Sequence, residues 1–288
     1  MKHLLWLTAL LLLTFLGDRL GGAALHQLVN SSQFRYSRLY NGSAGAEVVF
    51  LGNSRGLSFF QPHVARLTGR SSFNLSYNAL PADLGFTLFQ DYLARNPTPS
   101  KLIIEVSMCT KRNPELIAGF GTYAPYSDSL ARLIAAYDPQ LTRATAVSNL
   151  YRYNNEVFQR AMYYLRRPDD TWLLQKAIAP TMLAALPARP PYPMYTEPTM
   201  LPYLVKTVGL ARSRGIDVRL VVNPYLPGFA DKLVHFPEFK AEITAATGLP
   251  VADYSHAVTG DAHFSDYQHL NVRGSYAYIG LLKRDAVL

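Results

Sequence analysis

The first pattern along the chain is an uncharged, leucine-rich run of fourteen residues, 4–17, set behind Lys2 and His3. It is apolar on every side, which does not suit the surface helix of a globular protein. As a helix the run spans about 21 Å, short of the ~30 Å hydrocarbon core of a bilayer. We read it as a retained anchor. In that reading the helix continues through Leu20 and Leu25, Asp18 and Arg19 lie near the interface, and Arg19 snorkels. The alternative is a cleaved signal peptide with Gly22-Ala23-Ala24 as the small-x-small site, although charges between an apolar core and its cleavage site are unusual. Either way the rest of the chain is exported.

Residues 26–45 are polar and rich in Ser, Asn, Arg and Tyr, and read as a membrane-proximal lead-in. From there short apolar runs alternate with amphipathic ones. Strands are expected at 47–52, 72–75, 101–106, 216–222 and 249–252. Helices are expected at 62–67, 83–96, 200–214 and 236–247, the second stopped by Pro97 and Pro99 and the third ended by Gly215. Buried strands alternating with helices imply an α/β fold, a three-layer sandwich around a central parallel sheet of about five strands. The alternation breaks between about 111 and 199. That stretch patterns as helices at 129–137, 145–165 and 171–186 and ends in a proline-rich segment, so it reads as a mainly helical insertion. The division expected is therefore 1–28 anchor or signal, 29–45 lead-in, and 46–288 α/β domain. Tyr123, Tyr126, Tyr151, Tyr153, Tyr163, Tyr164, Tyr192 and Tyr195 make the insertion aromatic. They suit core packing, or a surface facing carbohydrate or membrane.

Composition narrows the classes. Hydrophobic residues make up 49% of the chain and charged ones 17%, which excludes a disordered chain. The single cysteine, Cys109, excludes an intramolecular disulfide framework and a cysteine-rich metal site. A net charge of +8, with no basic run longer than two residues, is not a nucleic-acid signature.

Candidate chemistry sits near the two ends of the α/β pattern. In Gly52-Asn53-Ser54-Arg55, the serine follows a buried strand, where ligands of open parallel sheets bind. Ser54 is placed as a nucleophile would be, with its N–H toward an oxyanion; it could equally be a helix cap. In Phe264-Ser265-Asp266-Tyr267-Gln268-His269-Leu270-Asn271, the three-residue spacing lets Asp266 orient the His269 ring, or form a plain surface pair. Asp261 and His263 lie nearby, but no third ligand at helical spacing makes them a metal site. Cys109, at a strand end, reads as a small buried apolar residue rather than a second nucleophile.

Taken together, strand-Gly-Asn-Ser-Arg and the later Phe-x-Asp-x-x-His-Leu-Asn-x-x-Gly resemble the SGNH/GDSL hydrolase superfamily. More narrowly, the chain resembles the membrane-anchored SGNH-like proteins of bacterial surface-polysaccharide O-acetylation, the alginate O-acetyltransferase type, and those of teichoic-acid D-alanylation. The resemblance covers about 46–110 and 200–288. It implies Ser54 as nucleophile, His269 as general base and then acid, Asp266 as the residue orienting His269, and neither cofactor nor metal. The block after the second strand normally supplies a glycine N–H; here Asn74-Leu75-Ser76-Tyr77-Asn78-Ala79 has none, and Asn78 is the candidate substitute. The third block's usual asparagine is replaced by Val106-Ser107-Met108-Cys109-Thr110, with Arg55 the candidate to compensate.

The function expected is an exported serine-dependent esterase or O-acyltransferase, acting through an acyl-Ser54 intermediate on a cell-surface polysaccharide. A multi-pass membrane acyltransferase is the expected partner. The location is the envelope, with the domain on the outer side of the inner membrane, or secreted if the signal is cleaved. The rival is a non-catalytic scaffold or polysaccharide-binding component of an export complex. One site requires the Ser54 hydroxyl and a His269 nitrogen within ~4 Å.

Overall fold

Val48, Val49, Phe50 and Leu51 have no polar side chain, so a strand made from them belongs in a sheet covered on both faces. The computed structural model, which describes residues 1–169 and 172–288, has all four at 0% exposure in β1 (Val48–Leu51). With β2 (Ser72–Asn74), β3 (Lys101–Glu105), β4 (Asp217–Val222) and β5 (Val251–Asp253) it forms one five-stranded sheet. The order is β2-β1-β3-β4-β5 and every pairing is parallel.

Crossovers between parallel strands are right-handed. The β1-to-β2 crossover runs opposite to the other three, so its helix must lie on the opposite face. The packing agrees: Gln61–Thr68 lies against Val272–Arg284, while Leu201–Ser213 lies against both Ala82–Arg95 and Phe236–Thr247. This is the expected α/β sandwich. The winding reverses between β1 and β3, which opens a crevice at their carboxyl ends.

The chain divides into two compact units. The sheet unit is Ala44–Asn113 with Asp170–Leu288, and the other is Met1–Ser43 with Pro114–Asp169. The expected insertion at 111–199 is thus two pieces. Residues 172–199 fold with the sheet, where Tyr192–Pro193 pairs with Leu233–Val234. The start of the helix expected at 171–186 lies outside the described residues; its described part is helical only over Pro180–Ala185.

In the other unit, the helix expected at 129–137 spans Asp128–Tyr137. The single helix expected at 145–165 is broken into Pro139–Val147, a short turn of 3-10 helix at Leu150–Tyr153, and Glu156–Tyr163. The break is stabilised from outside the segment, by the carboxylate of Asp18. It accepts from the Ser148 hydroxyl and from the N–H groups of Asn149 at 2.8 Å and Leu150 at 3.1 Å. Residues 26–45, polar by composition and expected as a membrane-proximal lead-in, are folded in part. Arg35–Tyr40 is helical, and Phe34, Tyr36 and Tyr40 are buried among the rings of Phe120, Tyr123 and Tyr164. The Arg35 guanidinium enters this core because Asp169 meets it, Nε to Oδ2 at 2.9 Å. Of the insertion's tyrosines, Tyr123, Tyr153 and Tyr164 are therefore core, while Tyr151, Tyr163 and Tyr195 are exposed.

One helix among the described residues, Lys2–Ser31, is long and apolar enough to cross a membrane, with a mean hydropathy of 1.5 over its most apolar window. That length and composition suit an anchor or a signal sequence.

Candidate active site

The chain leaves β1 through Gly52, where a β-carbon would come within 2.7 Å of the Glu105 Cβ at the end of β3. Glycine permits this close approach of β1 and β3 at the mouth of the crevice. Asn53 then caps a short 3-10 helix, Ser54–Ser58: its side-chain oxygen accepts from the Arg55 N–H at 3.0 Å. Its amide donates to Ser107 Oγ at 2.9 Å. The capping role left open for Ser54 thus belongs to Asn53, and the Ser54 hydroxyl has another partner.

That partner arrives on a loop 215 residues later. The Asp266 carboxylate accepts from the N–H groups of Gln268 at 2.8 Å and His269 at 2.9 Å, and the Ser265 N–H donates to the His269 carbonyl at 2.9 Å. Asn271 holds the loop to the last helix. Its oxygen accepts from the Arg273 and Gly274 N–H groups, and its amide donates to the Ala262 carbonyl at 2.8 Å. Gly274 lets the helix come this close, since a β-carbon there would sit 2.1 Å from the His263 carbonyl oxygen. The irregular segment 172–178, through the isolated bridge of Leu174 to Asn271, supports the loop from its other side. Ser265 Oγ donates to the Lys176 carbonyl at 3.0 Å, and the Val272 N–H donates to the Leu174 carbonyl at 3.1 Å.

These constraints bring Ser54, His269 and Asp266 into one hydrogen-bonded line. His269 Nε2 is 2.8 Å from Ser54 Oγ, and its Nδ1 is 2.9 and 2.8 Å from the two Asp266 oxygens. Burial acts to raise the Asp266 carboxyl, but hydrogen bonds and charge from His269, together with the two loop N–H groups, hold it below its ordinary value. An ionised carboxylate only accepts, so Nδ1 donates to Asp266, and in the neutral imidazole Nε2 is then the acceptor for the serine hydroxyl. The imidazole and carboxylate side chains are 31% and 33% exposed, so the line opens to solvent.

Arg55 is elsewhere engaged. It is 4% exposed, and its guanidinium donates to the Asn223 carbonyl, covers the Tyr225 ring at 3.3 Å and faces Glu105 with Nε 3.5 Å from Oε1. The last is a charge contact rather than a hydrogen bond. Burial pulls the Arg55 guanidinium down to about 10, with Glu105 opposing, which still leaves it charged at neutral pH. Burial pushes the Glu105 carboxyl up, against the pull of Arg55 and the Ser107 hydroxyl. The guanidinium suggested as a compensating oxyanion donor is thus committed to protein partners.

Asn78 is exposed in the turn 77–80, and the residue in left-handed backbone there is Ala79, φ 53°, not Asn78. Cys109 is buried, and burial, then the Glu105 charge, pushes its thiol up. His263 Nδ1 bonds the Thr259 carbonyl at 2.6 Å, beside Asp261 in the same short turn.

Glu105, Ser107, Asn223 and Asn271 shape the site without having been singled out from sequence. Asn271 and Gly274 stand inside the quoted motif, so their signal was present. Asn223 has none, since its partners are 165 and 168 positions away.

Neither a family model nor a curated protein matches this sequence. Among solved structures, a GDSL-like lipase from Bacteroides thetaiotaomicron aligns over 89% of this chain and 99% of its own, at 12% identity and a TM-score of 0.43.

Proposed function

We propose that this protein is an exported serine-dependent acyl-ester enzyme, and that the line Ser54–His269–Asp266 is its catalytic triad. The observation that carries the reading is the 2.8 Å contact of Ser54 Oγ with Nε2 of an imidazole whose Nδ1 is fixed by a carboxylate. In the acylation step Ser54 Oγ attacks the ester carbonyl carbon while His269 Nε2 takes the hydroxyl proton. Asp266 stabilises the imidazolium. As the tetrahedral intermediate collapses, the ester C–O bond breaks and the proton passes from Nε2 to the leaving alcohol, leaving acyl-Ser54. In the second half His269 takes a proton from an incoming hydroxyl as it attacks the acyl carbon; the bond from that carbon to Ser54 Oγ then breaks and Nε2 returns the proton to Oγ, restoring the serine. Water makes the protein an esterase; a sugar hydroxyl makes it an O-acyltransferase.

The Ser54 N–H at the start of the capped 3-10 turn is the oxyanion donor in this reading. Arg55 braces that turn from below instead of meeting the substrate, and Asn78 remains the proposed second donor from the turn after β2. We assign the acyl group as acetyl and the acceptor as a cell-envelope polysaccharide, because the apolar helix would hold the domain at a membrane surface outside the cytoplasm. A multi-pass membrane acyltransferase is the partner this arrangement would need for its acyl supply.

A serine-directed fluorophosphonate tests the core of the reading. It should label the wild type at Ser54 and leave folded Ser54→Ala unlabelled. With a small acetyl ester and a soluble oligosaccharide, acetyl on sugar identifies a transferase and acetate alone an esterase. A folded wild type inert to both probes would replace this reading with the non-catalytic scaffold.

A further inference from the structure

The amino-terminal helix meets its own unit along its second half, through His26 and Asn30 near its end and, nearest the apolar run, through Asp18 and Arg19. At Asp18 its carboxylate grips Ser148, Asn149 and Leu150; at Arg19 the guanidinium donates to the Val147 carbonyl at 3.2 Å and lies over the Phe15 ring. One turn further, Gly21 and Gly22 allow direct packing. A β-carbon on Gly21 would lie 3.3 Å from Leu150 Cδ2, and one on Gly22 would lie 2.5 Å from Asn149 Cβ.

Around this joint the surface is unexpectedly apolar. Val147 is 78% exposed, Tyr151 54% and Leu150 40%, and no residue of the helix Pro139–Val147 is buried. A valine, a leucine and a tyrosine are thus exposed within five residues of one another beside an apolar helix.

Helix length explains the placement. Crossing ~30 Å of hydrocarbon takes about 20 helical residues. Counted from Lys2, that span ends at Gly21, the residue packed on Leu150. The charged pair Asp18–Arg19 falls inside the span, but Asp18 is already satisfied by the 148–150 segment and Arg19 reaches a carbonyl there. In the anchor reading, the bilayer surface and residues 147–151 are therefore at the same height. A tyrosine ring suits that boundary, its apolar body on the acyl side and its hydroxyl on the headgroup side.

We propose that Val147, Leu150 and Tyr151 are a second membrane contact, seated in the lipid headgroup region around the exit point of the helix. The proposal rests on the anchor reading. The seat adds buried apolar area to an anchor whose apolar run is short, and it fixes the orientation of this unit on the bilayer, which a lone helix would leave free to swivel.

The test uses the full-length protein in phosphatidylcholine–phosphatidylglycerol vesicles, with single cysteines carrying an environment-sensitive fluorophore at Val147→Cys, Tyr151→Cys and Leu10→Cys. Cys109 is buried and does not compete for label. The exposure of Val147 and Tyr151 makes their replacement harmless to folding. Expected is a blue-shifted emission at 147 and 151, with intensity roughly halved or more by quencher-bearing lipids, as at Leu10. A quenched Leu10 label beside water-like, unquenched labels at 147 and 151 overturns the seat and leaves the anchor standing. An unquenched Leu10 label removes the anchor reading and the seat with it.

Discussion

Arg55 and Asn223 hold each other reciprocally: the Arg55 guanidinium donates to the Asn223 carbonyl, and the Asn223 amide donates back to the Arg55 carbonyl at 2.9 Å. The turn bearing Ser54 and the turn after β4 are thereby locked together. Ser58 Oγ and the Tyr278 hydroxyl complete the set around Asn223, and Glu105 supplies the countercharge from β3. The floor of the crevice is thus a buried polar network spanning three strands and the last helix. Such a network is stabilising only when its members stay paired.

The first expected outcome concerns that floor. Arg55→Met removes the cation and leaves the fully buried Glu105 without its countercharge. The cost expected is about 3–5 kcal/mol, read by denaturant unfolding of the protein in detergent. The double variant Arg55→Met/Glu105→Gln should recover most of the loss, because the uncompensated charge is gone. Additive losses in the double variant would show that Glu105 is not the partner that matters.

Kinetics separate the members of the triad. With a nitrophenyl acetate substrate, Ser54→Ala and His269→Ala should each lower kcat by about 10⁶ or to background, and the pair together by no more. Asp266→Asn should cost about 10⁴, since His269 keeps a lone pair but loses its orientation and its countercharge. A Ser54→Ala variant with undiminished turnover would remove the serine from the mechanism.

Acid sensitivity follows from the Asp266 carboxyl, whose ordinary value is 3.8 and whose folded value is lower. A depressed carboxyl binds fewer protons in the folded than in the unfolded chain as the pH falls. Its stabilising contribution is therefore complete above about 3.8 and is lost as the pH drops through the folded value. Unfolding curves of Asp266→Asn should be flatter than wild type below about pH 4 and parallel to it above pH 5. Identical acid limbs would count against an ionised, hydrogen-bonded Asp266.

Gly274 tests the placement of the histidine loop. The obstacle to Gly274→Ala is the backbone oxygen of His263, which cannot rotate away as a side-chain tip could. We expect a loss of about 1–3 kcal/mol and a fall in kcat exceeding that in KM, as the loop carrying His269 shifts from Ser54. A Gly274→Ala variant of wild-type stability would mean that the loop yields without consequence.

Processing at Gly22-Ala23-Ala24 would detach Asp18 and Arg19 from the segment they hold. We therefore expect the membrane-bound protein to keep its amino-terminal residues and to survive carbonate washing, checked by intact mass. A soluble product beginning near Leu25 would show that the helix is a signal.

The strand-and-helix alternation was legible because it depends on local chemistry. The runs at 47–52 and 101–106 read as short buried strands and 83–96 as an amphipathic helix, so the parallel sandwich was expected from side-chain type and period. Ser54 and the Asp266–His269 pair were legible for a related reason, since each lies in a short contiguous motif. What those motifs could not contain was distance. The three groups are one hydrogen-bonded line only because the β1 turn and the loop before the last helix meet at the same end of the sheet. The use of Arg55 against Glu105 and Asn223, the left-handed backbone at Ala79 rather than Asn78, and the capping of Ser148–Leu150 by Asp18 were decided by the tertiary structure. In each case the partner that settles the residue's state is a backbone group or charge far along the chain, and neither composition nor periodicity carries information about which distant atom arrives.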